Sequence, residues 1–84
     1  MRPYQWLLAE QAFEVLENLP KQHRRAFVTQ FDLLARNPFR KPDLVCDTPD
    51  GGEFCVMNGP RGTIIYSVDH AVRQIHVLNI EPYR

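Results

Sequence analysis

Hydrophobic residues in the first half of the chain recur at intervals that fit a strand followed by two helices. The bulky segment from Pro3 to Leu8 predicts a short first strand, which Trp6 anchors to the core. From Ala9 to Pro20, and again from Lys21 to Asn37, apolar positions repeat with a helical period, and a proline ends each stretch. The expected core-facing residues are Ala12, Phe13, Leu16 and Leu19 in the first helix and Phe27, Val28, Phe31, Leu34 and Ala35 in the second. Because the connection is short, the helices are expected to form an antiparallel hairpin.

The second half of the chain changes to an alternation of period two, which is typical of strands. The segment from Asn37 to Gly52 holds three of the seven prolines and therefore predicts a connecting loop. Three antiparallel strands are expected after it, separated by turns at 58–62 and 69–71, with the last strand over 72–80. That last strand is apolar on both sides, which favours an interior position in the sheet.

These elements predict an α+β fold: a strand, a two-helix antiparallel hairpin, and then a three- to four-stranded antiparallel sheet. A chain of 84 residues is expected to form one domain, residues 1–84. Alternation within each strand assigns Phe54, Val56, Ile64, Tyr66 and Val68 to the inward face. By the same argument Cys55, Met57 and Thr63 are assigned to the opposite face.

Composition and charge limit the ligands and the cellular location that can be expected for this chain. Lysine plus arginine equals aspartate plus glutamate at ten each, so anion binding must come from local clusters rather than from a global field. Cys46 and Cys55 have no partner at zinc-ligand spacing, and we expect neither a disulfide, nor a metal, nor a cofactor. The apolar run near Trp6 is too short for a signal peptide or a membrane span, so a cytoplasmic location without membrane association is expected.

Four segments and their order resemble one protein family. The segment from Leu33 to Phe39 is similar to the end of that family's second helix, which an Asn-Pro pair terminates. The segment from Gly52 to Val56 is similar to the start of the family's first hairpin strand. The segment from Gly62 to Asp69 is similar to the family's next strand with its acidic turn. The segment from His76 to Arg84 is similar to its last strand and terminal aromatic residues. In order and spacing, the chain resembles the RelE/ParE superfamily of small toxins from bacterial type II toxin-antitoxin systems.

The resemblance implies a toxin that a cognate antitoxin protein wraps and inhibits, in a module of the kind linked to plasmid stabilisation. It implies one of two activities. The RelE-like branch is an mRNA interferase that cleaves mRNA on the ribosome, and the ParE-like branch inhibits DNA gyrase. The partners so implied are an antitoxin, with the ribosome and mRNA or with gyrase.

Metal-independent RNA cleavage needs a base for the ribose 2′-hydroxyl, a cation for the phosphorane and an acid for the leaving oxygen. The candidates are Arg61 as the cation, Glu53 as the base, His76 for acid-base work, and Tyr83 with Arg84 for stacking or donation to phosphate. Each also has a plain structural interpretation. Arg61 is then a solvated turn residue, Glu53 an edge charge, His76 a packing residue, and the last pair a frayed chain end.

Two further observations set the alternatives. Arg40 and Lys41 form the densest basic spot and are candidates for contact with RNA or with an acidic antitoxin segment. Where the family commonly has arginine, this chain has Cys55, Met57 and Thr63. These departures favour an altered active site, or a gyrase inhibitor or non-catalytic relative that acts only by binding a protein. A small structural domain with no toxin role is the third hypothesis.

Overall fold

A strand, two helices and four further strands follow one another along the chain, and proline or glycine residues mark several of their boundaries. The computed structural model describes residues 3–83. Within them the elements are β1 Gln5–Leu8, α1 Glu10–Glu17, α2 Lys21–Arg36, β2 Leu44–Asp47, β3 Glu53–Asn58, β4 Gly62–Asp69 and β5 Gln74–Pro82. Neither of these two helices has the length and hydropathy that a membrane crossing requires.

The two helices pack on the sheet through narrow apolar stripes. In α1 the buried residues are Ala12 and Leu16, one turn apart, whereas Phe13 is 52% exposed. The prediction that Phe13 faces the core is therefore wrong, because it lies about 100° around the helix from Ala12. In α2, Phe27 and Phe31 are buried as predicted. Val28, Leu34 and Ala35 of the predicted stripe also pack in or against the core.

The five strands form one mixed sheet in the order β1-β5-β4-β3-β2. β1 runs parallel to β5, and the other neighbours are antiparallel. The predicted α+β class and the interior position of the last strand are confirmed. The predicted loop over 37–52 is wrong in part, because the short apolar segment at Leu44–Asp47 pairs with β3 as an edge strand. The last strand begins two residues later than predicted, at Gln74, because the turn extends through Arg73.

Strand register decides which side chains lie under the helices. Directly opposite residues of an antiparallel pair share a face. Met57 is opposite Ile64 and Cys55 is opposite Tyr66, so all four lie on the face that the helices cover, here called the helix face. The prediction that placed Cys55 and Met57 on the other face is wrong, since alternation within one strand does not give its phase relative to the next.

The opposite side of the sheet, here called the open face, has no helix over it within residues 3–83. Val56 and Ile65 are paired there, and Leu7 lies opposite His76. Phe54 also belongs to this face, so the prediction that Phe54 and Val56 face inward is wrong for the same reason of strand register. A bulge in the β4–β5 pairing leaves Leu78 without a partner and keeps both flanking residues, Val77 and Asn79, in register with β4.

Trp6 anchors β1 as the sequence predicted. Its ring lies 5.1 Å from that of Phe31, and its Nε1 donates a 2.8 Å hydrogen bond to a carboxylate oxygen of Asp32. A half-buried indole satisfies its single donor in this way while the ring joins the core. The contact therefore joins the first strand to the second helix.

Candidate functional site

The β3–β4 hairpin separates the candidate catalytic residues that the sequence suggested. Glu53 begins β3 and Asn58 ends it, and five steps of extended chain span roughly 17 Å. Arg61 lies in the turn beyond Asn58. His76 lies in β5 opposite Ser67, half-buried and next to Leu7. The structure thus does not bring Glu53 and Arg61 together as a base and a cation.

The end of the hairpin at the turn carries a group of neighbouring residues, here called the turn cluster: Asn58, Arg61, Thr63, Glu81 and Tyr83. The Thr63 hydroxyl donates to the Asn58 side-chain oxygen at 2.9 Å, and the Tyr83 hydroxyl approaches the same oxygen at 3.5 Å. The Tyr83 backbone N–H donates to the Arg61 carbonyl at 2.9 Å. Arg61 and Tyr83, which the sequence suggested separately, therefore lie side by side. Arg84 lies outside the described residues.

Two members of the turn cluster were missed at the level of sequence. Asn58 is the acceptor that joins Thr63 and Tyr83, and its one sequence signal is its place directly before the turn glycine. Glu81 is the pairing partner of Thr63 across β4 and β5. Side chains so paired have Cβ atoms about 5 Å apart, so a carboxylate lies beside the cluster. The signal for Glu81 was its position two residues before Tyr83, on the same side of an extended strand.

The turn cluster therefore holds the three kinds of group that metal-independent RNA cleavage requires. Glu81 is an exposed carboxylate, Arg61 an exposed guanidinium, and Tyr83 a hydroxyl that is 51% exposed. A carboxylate can take a proton, a guanidinium can hold two phosphate oxygens, and a phenol can donate a hydrogen bond or a proton. All three reach solvent, so a substrate has access to them.

Within the part of the chain that the structure describes, the strands carry no lysine or arginine on either face. Every cation among residues 3–83 lies instead on a helix, a loop or a turn. Around Val56 and Ile65 the open face therefore has no lysine or arginine among residues 3–83, while Ser67 and Asn79 add polar groups beside the aliphatic ones. It offers packing surface rather than stabilisation of an anionic transition state.

At the other end of the hairpin, on the helix face, the residues 38–42 and the sheet enclose a groove of about 420 Å³, here called the loop groove. Arg40, Lys41 and Glu53 all line it, so the basic pair suggested for binding and the carboxylate suggested as a base meet here. Phe39 and His70 line it too, and neither was a candidate. Their contact is long-range, between the α2–β2 loop and the β4–β5 turn, which no local pattern in the sequence announces.

The floor of the loop groove stays uncharged at neutral pH. Burial, followed by the nearby charges of Glu53 and Cys46, raises the pKa of the Cys55 thiol. Burial chiefly, with a smaller effect of Cys55, raises the pKa of Tyr66 to about 12. Both groups therefore keep their protons, and neither is a nucleophile here. Tyr66, 2% exposed, belongs to the core as predicted.

Across residues 3–83, no set of three or more histidine, cysteine, aspartate or glutamate side chains converges as a metal site would require.

Comparisons with known proteins identify the fold. No family model and no curated protein matches this sequence. Among solved structures, the RelE–RelB complex from the archaeon Pyrococcus horikoshii OT3 aligns with a TM-score of 0.75 and 23% identity, over 96% of each chain. The RelBE2 toxin–antitoxin complex from Mycobacterium tuberculosis aligns with a TM-score of 0.80 and 21% identity, over 98% of this chain and all of that one. The chain has a RelE-like fold.

Proposed function

We propose that this protein is the toxin component of a type II toxin-antitoxin module and binds a protein antitoxin. The observation that carries the proposal is the near full-length match to two chains whose structures were solved as toxin–antitoxin complexes. Exposed apolar side chains support it, among them Leu7 and Leu78 on the open face and Leu44 and Val45 on the edge strand β2. Exposed large apolar side chains on a sheet face and along an edge strand favour a protein partner.

We further propose that RNA cleavage, as an mRNA endoribonuclease acting on the ribosome, would take place at the turn cluster. Glu81 would accept the 2′-hydroxyl proton, Arg61 would stabilise the charge on the phosphorane, and Tyr83 would donate to the leaving 5′ oxygen. The adjacency of Arg61 and Tyr83 and the pairing of Glu81 with Thr63 support these roles. Glu53, at the far end of β3, has no part in this arrangement.

The second candidate function is binding without cleavage, either to gyrase or to the antitoxin alone. The absence of lysine and arginine from the five strands found within residues 3–83 favours it. A toxin of this kind would act through apolar contacts on the open face and would leave RNA intact.

Induced expression in a bacterium, with growth curves and primer-extension mapping of mRNA, separates these functions. We expect growth arrest with cuts at the ribosomal A site. Because loss of one donor to a charged transition state costs about 10²-fold in rate, Arg61→Ala should lose the cuts. Arg25→Ala, an exposed helical arginine, is the matched control and should keep them.

The opposite results are as informative. Growth arrest with intact mRNA in the parent protein, together with signs of DNA damage, would favour gyrase and refute cleavage. Normal growth of cells that accumulate folded protein would refute the toxin proposal itself.

A further inference from the structure

The loop groove contains an exposed aromatic ring that is held in place from three parts of the chain. Phe39 is 78% exposed, the largest exposure among the bulky apolar side chains of residues 3–83. Its ring stacks on His70 with centroids 4.6 Å apart and planes 7° apart. Tyr4 meets both rings edge-on, at 6.2 Å and 5.6 Å, and a 2.7 Å hydrogen bond joins its hydroxyl to His70 Nδ1.

This arrangement leaves one flat face of Phe39 open to solvent. One face of the ring lies on His70, so an exposure of 78% must come from the other face and the edges. Pro38, which precedes Phe39, has its own φ fixed by its ring, and Tyr4 holds His70 through their hydrogen bond. An aromatic ring held in this way loses little conformational freedom when a ligand stacks on it.

Cations flank the open ring on both sides. Arg36 and Arg40 line a hollow with Phe39, and Arg40 and Lys41 line the loop groove with it. Glu53 is the one acidic residue among the groove's lining residues. Asp32 lines a third hollow with Phe39 and Arg36, where it accepts the Trp6 indole N–H, a neutral donor that leaves the charge of the carboxylate in place. Among the residues that line the loop groove and the hollow of Arg36 and Arg40, three cations face one carboxylate, although the chain as a whole is neutral.

We propose that this surface binds single-stranded RNA, with one unpaired base stacked on Phe39 and its neighbouring phosphates on Arg36, Arg40 and Lys41. A flat ring at the end of an existing stack matches the flat face of a base, and cations on either side match the phosphates that precede and follow it. An acidic peptide would satisfy the cations but leave the Phe39 face exposed, so RNA accounts for more of the surface.

The site is separate from the turn cluster. The loop groove lies on the helix face at the Glu53 end of the hairpin, and the turn cluster lies at the opposite end, about 17 Å along β3. The proposed contact therefore positions RNA rather than cleaves it. It goes beyond the toxin function and holds whether or not the turn cluster cuts RNA.

Binding of a labelled single-stranded oligoadenylate to the purified chain, followed by fluorescence anisotropy at several salt concentrations, tests the proposal. Phe39→Ala should weaken binding about tenfold, since stacking on an aromatic ring contributes that order of affinity per base. Phe13→Ala is the matched control, because Phe13 is also exposed but lies among the glutamates of α1. It should leave the affinity unchanged.

Charge variants give a second, independent measurement. R40Q/K41Q should lower the slope of log affinity against log salt by about 1.4, since each lost phosphate contact on a single strand contributes about 0.7. R24Q/R25Q removes the same charge from α2 and should leave the slope unchanged. Glu53→Gln should tighten binding about twofold, because it removes the carboxylate that faces the phosphates.

Three results would overturn the RNA site: equal losses in the Phe39 and Phe13 variants, equal slopes in the two dibasic variants, or weaker binding in Glu53→Gln. Displacement of the RNA by polyglutamate, with a dependence on Lys41 but none on Phe39, would assign the surface to an acidic protein segment instead. Circular dichroism of each variant confirms that the fold is intact. These measurements use no growth assay, so their failure is distinguishable from failure of the toxin proposal.

Discussion

Two neighbouring isoleucines on β4 lie on opposite faces of the sheet. Ile64 points under the helices and is fully buried, whereas Ile65 points to the open face and is only half-buried. Both belong to the same strand and have the same side chain, so the difference arises from what covers each face. The helix face buries apolar surface within the chain, and the open face leaves such surface available to a partner.

The helix face achieves its burial through close aromatic packing. Phe27 and Phe31 of α2 have ring centroids 6.4 Å apart, and Trp6 of β1 adds a third ring to the group. Such packing leaves few voids, so a change of even one methyl group is felt. The open face instead carries a polar network at one end, around Asn58, and half-buried aliphatic residues along its middle. We expect the free energy of unfolding to depend mainly on the first face, and the proposed contact with a protein partner on the second.

Replacing each isoleucine by alanine should give the largest difference in stability between the helix face and the open face. Ile64→Ala should lower the free energy of unfolding by about 3 kcal/mol, because it leaves a cavity in a closed core. Ile65→Ala should lower it by about 1 kcal/mol or less, since solvent already reaches the site. Urea denaturation followed by circular dichroism measures both. Equal losses would mean that the open face is as tightly packed as the helix face.

Local patterns in the sequence were enough to predict the two helices and most strands, because periodicity is a property of neighbouring residues. They did not predict β2, since its three apolar residues lie between aspartates in a proline-rich segment. Nor did they give the facing of Cys55 and Met57. That depends on the register across the β3–β4 turn, which is a relation between strands.

The candidate sites depended even more on long-range contacts. Glu81 lies beside Thr63 only through strand pairing, and Phe39 meets His70 only because a loop and a distant turn converge. The sequence identified Arg61 and Tyr83 by residue type and resemblance, but not their side-by-side arrangement. A site whose residues come from different strands or loops therefore cannot be predicted from the pattern of residues along any one of them.

Gly62 tests how closely the helix face is packed at its edge. A Cβ atom at this position would lie 2.5 Å from the Glu81 carbonyl oxygen and 2.7 Å from Cζ of Phe27. Because one of these neighbours is backbone, Gly62→Ala should destabilise the fold by about 2 kcal/mol. Gly59→Ala is the matched control in the same turn, where the nearest atom would lie at 3.4 Å. Thermal unfolding should show a clear loss for the first variant and little for the second.

A loss of similar size in both glycine variants would indicate that the turn, rather than the packing against Phe27, limits what position 62 accepts. Retention of full stability in Gly62→Ala would show that the β4–β5 edge relaxes freely. The helix face would then be less rigid than its burial indicates.

Ionisation of Tyr66 should have the smallest effect on the free energy of unfolding, and it makes the stability of the helix face depend on pH. Its pKa is raised to about 12 in the folded chain, against about 10 in an unfolded one, because burial on the helix face penalises the phenolate. The stabilisation by the neutral phenol is therefore fully present below pH 10 and is lost as the pH rises toward 12. Relative to Tyr66→Phe, which cannot ionise, the parent protein should lose on the order of 1 kcal/mol by pH 11. Urea denaturation of both proteins between pH 8 and about pH 11 measures the difference. Parallel pH profiles would mean that the phenolate is solvated through the loop groove, and hence that the helix face is open to water at that end.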